Sequence, residues 1–154
     1  MSDRNPTFCR EFVKTGKDLL SRHPEVLHEW SIDADEDHCI LDIPKKSEDG
    51  FDITFEVYPE EIMVMAGGAH TQLSAREYKD KTVETAFGLL RDLLTKNMRV
   101  REKLSNGKPY SWSIESIGNG KWNFEESNTL FFWNYFGKKT EKIYSNDILP
   151  VREF

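Results

Sequence analysis

The stretch "FDITFEVYPEEIMVMAGG", residues 51–68, decides the fold. Phe51, Ile53, Phe55 and Val57 alternate with Asp52, Thr54, Glu56 and Tyr58. That period of two is the mark of a strand with one face in a core and one in water. Pro59-Glu60-Glu61 supplies a turn, Ile62, Val64 and Ala66 return, and Gly67-Gly68 closes the second strand. Two strands joined by so short a turn must pair antiparallel.

Working outward, the pattern persists. Upstream, Pro44 to Gly50 is a polar loop, and Cys39-Ile40-Leu41-Asp42-Ile43 is a strand. A turn, DADED, separates it from Val26, His28, Trp30 and Ile32, which share one side of a further strand. Before that, Asn5-Pro6 reads as a helix start, with asparagine as N-cap and proline at the first helical position. Phe8, Phe12, Leu19 and Leu20 fall roughly on one face, and Pro24 ends the helix near Arg22.

Downstream, Ser74-Ala-Arg-Glu77 has the form of a capping box. Val83, Ala86, Phe87, Leu90, Leu93 and Leu94 then recur at helical spacing, predicting one helix of roughly 20 residues, about 30 Å long. Met98, Val100 and Leu104 begin a strand, Asn106-Gly107 turns it, and Tyr110, Trp112 and Ile114 line the return. Gly118-Asn119-Gly120 turns again before Trp122 and Phe124. Asn128 to Phe136 reads as a strand apolar on both faces, and 139–145 as a short charged strand at a sheet edge. The expected fold is α+β: a mostly antiparallel sheet of about eight strands and two main helices, in the order α-ββββ-α-ββββ(β). No linker rich in Gly, Pro or Ser interrupts residues 1–154, which predicts a single domain.

The net charge of −6 conceals an asymmetry. Residues 1–80 hold 18 acids and 9 bases, a net of −9; residues 81–154 hold 9 acids and 12 bases, a net of +3. Within 25–61 there are 13 acids against Lys45 and Lys46 alone, a net of −11. Such a surface steers basic partners and repels nucleic acid. The bases at Lys96, Arg99, Arg101, Lys103 and Lys108, beside Trp112 and Trp122, are the one nucleic-acid candidate. The overall acidity argues against it, and pairing with the acids is the expectation.

Residues 33–38, Asp-Ala-Asp-Glu-Asp-His, begin as an EF-hand loop does. That loop needs glycine at its sixth position and glutamate at its twelfth, where this chain has His38 and Pro44. No calcium site, zinc motif, phosphate loop or Rossmann fingerprint follows from the spacing. Glu60-Glu61 and Glu125-Glu126 are sequence neighbours, which in a strand point to opposite faces and form no dyad. Cys39 beside His38 fails as nucleophile and base for the same reason. No catalytic constellation, cofactor or metal site is expected.

The two cysteines, Cys9 and Cys39, fit no metal knuckle and form no disulfide framework, which favours a reducing compartment. The N-terminus lacks an apolar leader segment, and no apolar run approaches the ~20 residues that cross a bilayer. The expected location is cytoplasmic, away from membranes.

Acidic surface and abundant aromatics without catalytic groups suit a protein that binds another protein. In size, sign of charge and the stretch "NTLFFWNYFGKKTEKIYSN", residues 128–146, the chain resembles the small acidic immunity proteins that bacteria pair with toxins. The resemblance implies an inhibitor that occludes the active site of a basic toxin, often a nuclease. The expected contact residues are Asp33, Asp35, Glu36, Asp37, Glu48, Asp49, Glu60 and Glu61, with Trp133 and Tyr135 as aromatic anchors or a seam between copies, so the chain is a monomer or a homodimer. Two other readings stand beside it: a ligand-binding or enzymatic cleft near His70, Arg76 and Trp122, and an adaptor subunit of a larger assembly.

Overall fold

The computed structural model describes residues 8–34, 37–129 and 137–150. Its chain order is α1 (Phe8–Ser21), β1 (Glu29–Ile32), β2 (Cys39–Ile43), β3 (Ile53–Val57), β4 (Glu61–Ala66), β5 (Ala69–Ser74), α2 (Ala75–Tyr78), α3 (Thr82–Leu93), β6 (Met98–Ser105), β7 (Lys108–Gly118), β8 (Lys121–Thr129) and β9 (Lys139–Tyr144). It is an α+β architecture with two antiparallel sheets. Sheet A is the meander β1-β2-β3-β4-β5, and sheet B has the order β8-β7-β6-β9. The Asn5-Pro6 helix start and the aromatic strand beyond Thr129 lie outside the described residues.

The stretch 51–66 behaves as its alternation demands. In β3 and β4 the residues Ile53, Phe55, Val57, Ile62, Val64 and Ala66 are all buried, with exposures of 1% or less. The helices cover this inner face. Phe12 of α1 stacks on Phe87 of α3 at 4.6 Å and meets both Trp30 and Phe55 at 5.8 Å, so one ring joins two helices to the sheet. Burying such a ring contributes roughly 1.5–3 kcal/mol. Gly16 allows this closeness: a Cβ there would lie 2.6 Å from the Trp30 ring.

The helix predicted after Ser74 is interrupted. Ser74 does cap α2, its hydroxyl accepting from the Arg76 N–H at 3.1 Å. Lys79 then takes φ 53°, and a 3-10 turn over Lys79–Lys81 precedes α3. The reason is in the apolar pattern. Residues 75–81 bury no side chain, so nothing holds a first turn in line with the stripe that begins at Val83. Thr82, fully buried, donates its hydroxyl to the Lys79 carbonyl at 2.7 Å and fixes the break.

A second correction concerns residues 69–74. They carry no strand signal in the sequence, yet they form β5, paired along its whole length with β4. Short polar side chains obscured the strand; Ala69 and Leu73 are its buried positions. With it the described residues hold nine strands, in keeping with the expected order of about eight.

In sheet B both glycine turns are tight hairpins, with positive φ at Asn106 (51°), Gly107 (80°), Asn119 (53°) and Gly120 (74°). The charged strand β9 is an edge strand, as its lysines suggest. Val100 and Ile114 join the common core. The segment after β9 then ties the units together. Asn146, 2% exposed, accepts from the Phe51 N–H at 3.0 Å and donates to its carbonyl at 3.1 Å. Both Ile148 and Leu149 donate to the Leu94 carbonyl at 3.0 Å.

Candidate interaction face

Because strand side chains alternate, the residues between the core positions of sheet A form its outer face. Cross-strand register arranges them in rows. One row runs Glu29, Asp42, Thr54, Met65, His70; the next runs Ser31, Ile40, Glu56, Met63, Gln72. The described helices pack on the opposite face. The result is a surface with half-buried Ile40, Met63 and Met65 at its centre and acids on the β1–β3 side. Thr54 donates to Asp42 at 2.7 Å, which fixes one of those carboxylates.

His38 pins the acidic turn onto this face. Its Nε2 lies 2.9 Å from Glu56 Oε1, and its Nδ1 lies 3.3 Å from Asp33 Oδ2. The Tyr58 hydroxyl donates to the same Glu56 oxygen at 2.6 Å. Two carboxylates around one imidazole both require a donor, so the doubly protonated ring satisfies the site. The hydrogen bond to Glu56 raises the His38 pKa above its ordinary value, against a smaller opposing effect of burial and with help from Asp33. Hydrogen bonds from Tyr58 and His38 lower that of Glu56, and the Tyr58 phenol is pushed up in turn by its bond to Glu56. A general base needs a free ring nitrogen, and here both are engaged. While His38 is protonated, the cluster is therefore a cation held between two carboxylates that clamps a hairpin tip.

The register also sorts the expected contact acids. Asp33 and Asp37 lie in the β1–β2 turn, and Glu60 and Glu61 lie in the β3–β4 turn or at its edge; both turns stand at the same end of sheet A. Glu48 and Asp49 lie in the β2–β3 loop at the other end, about 17 Å away along five-residue strands. The six described acids of this set thus stand at the two ends of the sheet. Asp35, Glu36, Trp133 and Tyr135 lie outside the described residues.

The three residues expected to line a cleft sit on three different elements. His70 projects from β5 opposite Met65, whereas Arg76 is on α2 beyond the other end of that strand. Trp122 belongs to β8, pairs with Ile117 and lies 3.9 Å beneath the Arg99 guanidinium. Two clefts open among the described residues, and none of these three side chains lines either. One, of about 400 Å³, opens at the β1 edge among Leu27, His28, Glu29, Asp42, Asp52 and Thr54. The other, of about 360 Å³, lies at the end of α3 among His23, Arg91, Asp92, Thr95 and Asn97.

The two arginines of β6 are engaged by acids. Arg99 donates to Glu115 at 2.7 Å and Arg101 donates to it at 2.9 Å, while Arg101 also bonds Glu141. Lys96 sits 3.4 Å from Asp147. Burial would push the Glu115 carboxyl up, but the bonds from Arg101 and Arg99 outweigh it, and the net direction is down. Trp112 donates to Glu102 at 2.9 Å, so its indole N–H is engaged too.

Among the described residues no group of three or more His, Cys, Asp or Glu side chains is placed to hold a metal ion. No described helix is long and apolar enough to cross a membrane. Sequence reasoning missed Asp42, Glu56, Ile40, Met63 and Met65 as members of one surface. The signal was present in the alternation, since every second residue of a half-buried strand must face outward. No family model matches the chain, and no curated protein or solved structure matches it.

Proposed function

We propose that the chain is a protein-binding inhibitor whose outer face of sheet A docks on a basic protein. In keeping with the class resemblance, that partner is a toxin whose active site it occludes. The observation that carries the reading is the composition of this face: an apolar centre of Ile40, Met63 and Met65 beside Asp42, Glu56 and the clamped tip at Asp33. Recognition surfaces commonly combine an apolar centre with a charged margin, the first supplying affinity and the second steering association. Glu60 and Glu61 extend the acidic margin at the same end; Glu48 and Asp49 fall outside it.

The test is kinetic. The chain is co-expressed with the product of the gene beside its own, and association is measured at several salt concentrations. Reversing Glu60 and Glu61 to lysine should slow association about tenfold and flatten its salt dependence. Met63→Ala should instead speed dissociation. Unchanged rates in both variants, with the partner still bound, would remove this face from the interface. Stabilisation by a small metabolite and by no protein would remove the inhibitor reading itself.

A further inference from the structure

The only two cysteines of the chain, Cys9 and Cys39, meet inside the core. Cys9 is on the inward stripe of α1, one turn before Phe12, and is 1% exposed. Cys39 opens β2, two residues before Leu41, and is 0% exposed. Leu41 pairs with Phe55, and Phe55 touches Phe12, so both cysteines flank the same contact between α1 and the sheet. The two side chains are hydrogen-bond partners. In sequence they stand 30 positions apart (39 − 9), so no spacing rule reveals the pair.

We propose that Cys9 and Cys39 are a disulfide-forming pair, a modification site that staples α1 to the root of the acidic β1–β2 hairpin. The oxidant is a small-molecule disulfide such as oxidised glutathione. One cysteine thiolate attacks it, forming a mixed disulfide and releasing one glutathione thiol. The second cysteine thiolate then attacks the protein sulfur of that mixed bond. It forms the Cys9–Cys39 bond and expels the second glutathione thiolate, which takes up a proton. The protein loses two hydrogens, as two protons and two electrons, and the oxidant gains them. Because the thiolate is the attacking species, burial governs the rate. The Cys39 thiol is pushed far up by burial and by its contact with Cys9, so reaction waits for α1 to lift or for the chain to fold in oxidant.

The experiment refolds the full-length reduced chain with oxidised glutathione and follows it by intact mass, peptide mapping and thermal melting. The expected product is a monomer lacking two hydrogens, with the peptides of Cys9 and Cys39 joined. Closing a loop of this length should raise its melting temperature by about 10 °C over the reduced form. Cys39→Ala should show no such gain in oxidant, and Cys9→Ala serves if that variant folds poorly. Native oxidation should be slow and should accelerate in urea below the unfolding midpoint. Glutathione left on both cysteines of the refolded chain, two free thiols after refolding, or a cross-linked form that melts lower would each overturn the proposal.

Discussion

Replacing Glu115 by alanine tests whether the basic residues of sheet B are structural or available to a ligand. The Glu115 side chain is 4% exposed, and it holds Arg99 and Arg101, themselves 17% and 21% exposed. Removing one partner of a buried ion pair costs about 3–5 kcal/mol, because the other charge is left without compensation. Both arginines retain some contact with water, and Arg101 keeps Glu141, which moves the expectation to the low end. A loss of roughly 3 kcal/mol corresponds to a fall in melting temperature of roughly 6–12 °C for a chain of this size. Urea unfolding with an unchanged slope measures the free energy, and a double-mutant cycle with Arg101→Ala isolates the pair. Replacing all three residues by apolar side chains of similar volume should recover much of the loss. The carboxyl is lowered in the folded state, so its contribution is present above its unfolded pKa and disappears as pH falls through the folded one. A change below about 1 kcal/mol in Glu115→Ala would refute this account and return the two arginines to the list of free binding groups.

Other outcomes follow from single contacts. Gly16→Ala should destabilise by about 1–3 kcal/mol despite alanine's better helix propensity, because its Cβ would fall 2.6 Å from the Trp30 ring. Gly88→Ala, with open space at the Cβ position, should stabilise by about 1 kcal/mol; parallel melts compare the two. The His38 pKa is raised on folding, so the clamp's stability is complete below the unfolded histidine value and is lost as pH rises through the folded one. Proton NMR titration should show that value returning toward normal in Glu56→Gln, and an unaltered titration would dismiss the clamp. Asn146→Ala leaves both backbone polar groups of Phe51 without their partner and should cost roughly 1–3 kcal/mol by urea unfolding.

Much of this protein was legible locally. A period of two over Phe51–Ala66 requires one buried face, and the pairing of β3 with β4 follows from a turn too short for anything else. The Asn-Gly and Gly-Asn-Gly signals specify their hairpins because those residues tolerate positive φ. The apolar stripe from Val83 to Leu94 specifies α3. Net charge by segment was equally open to reading, since it is a count of side chains.

What the residues could not disclose is which distant positions share space. Two turns rich in acid stand at one end of sheet A and a third at the other, a fact of strand direction rather than composition. His38 meets Glu56 across 18 positions, and Cys9 meets Cys39 across 30 (39 − 9). Arg99 and Arg101 lose their promise as a phosphate footprint only because register sets Arg99 opposite Glu115. The interruption at Lys79 also belongs to tertiary structure, because a helix persists only where a packed face supports it. Local pattern fixes which side of an element is apolar. Only the packing of elements against one another decides which charges are neutralised, which thiols touch and which distant side chains share a face.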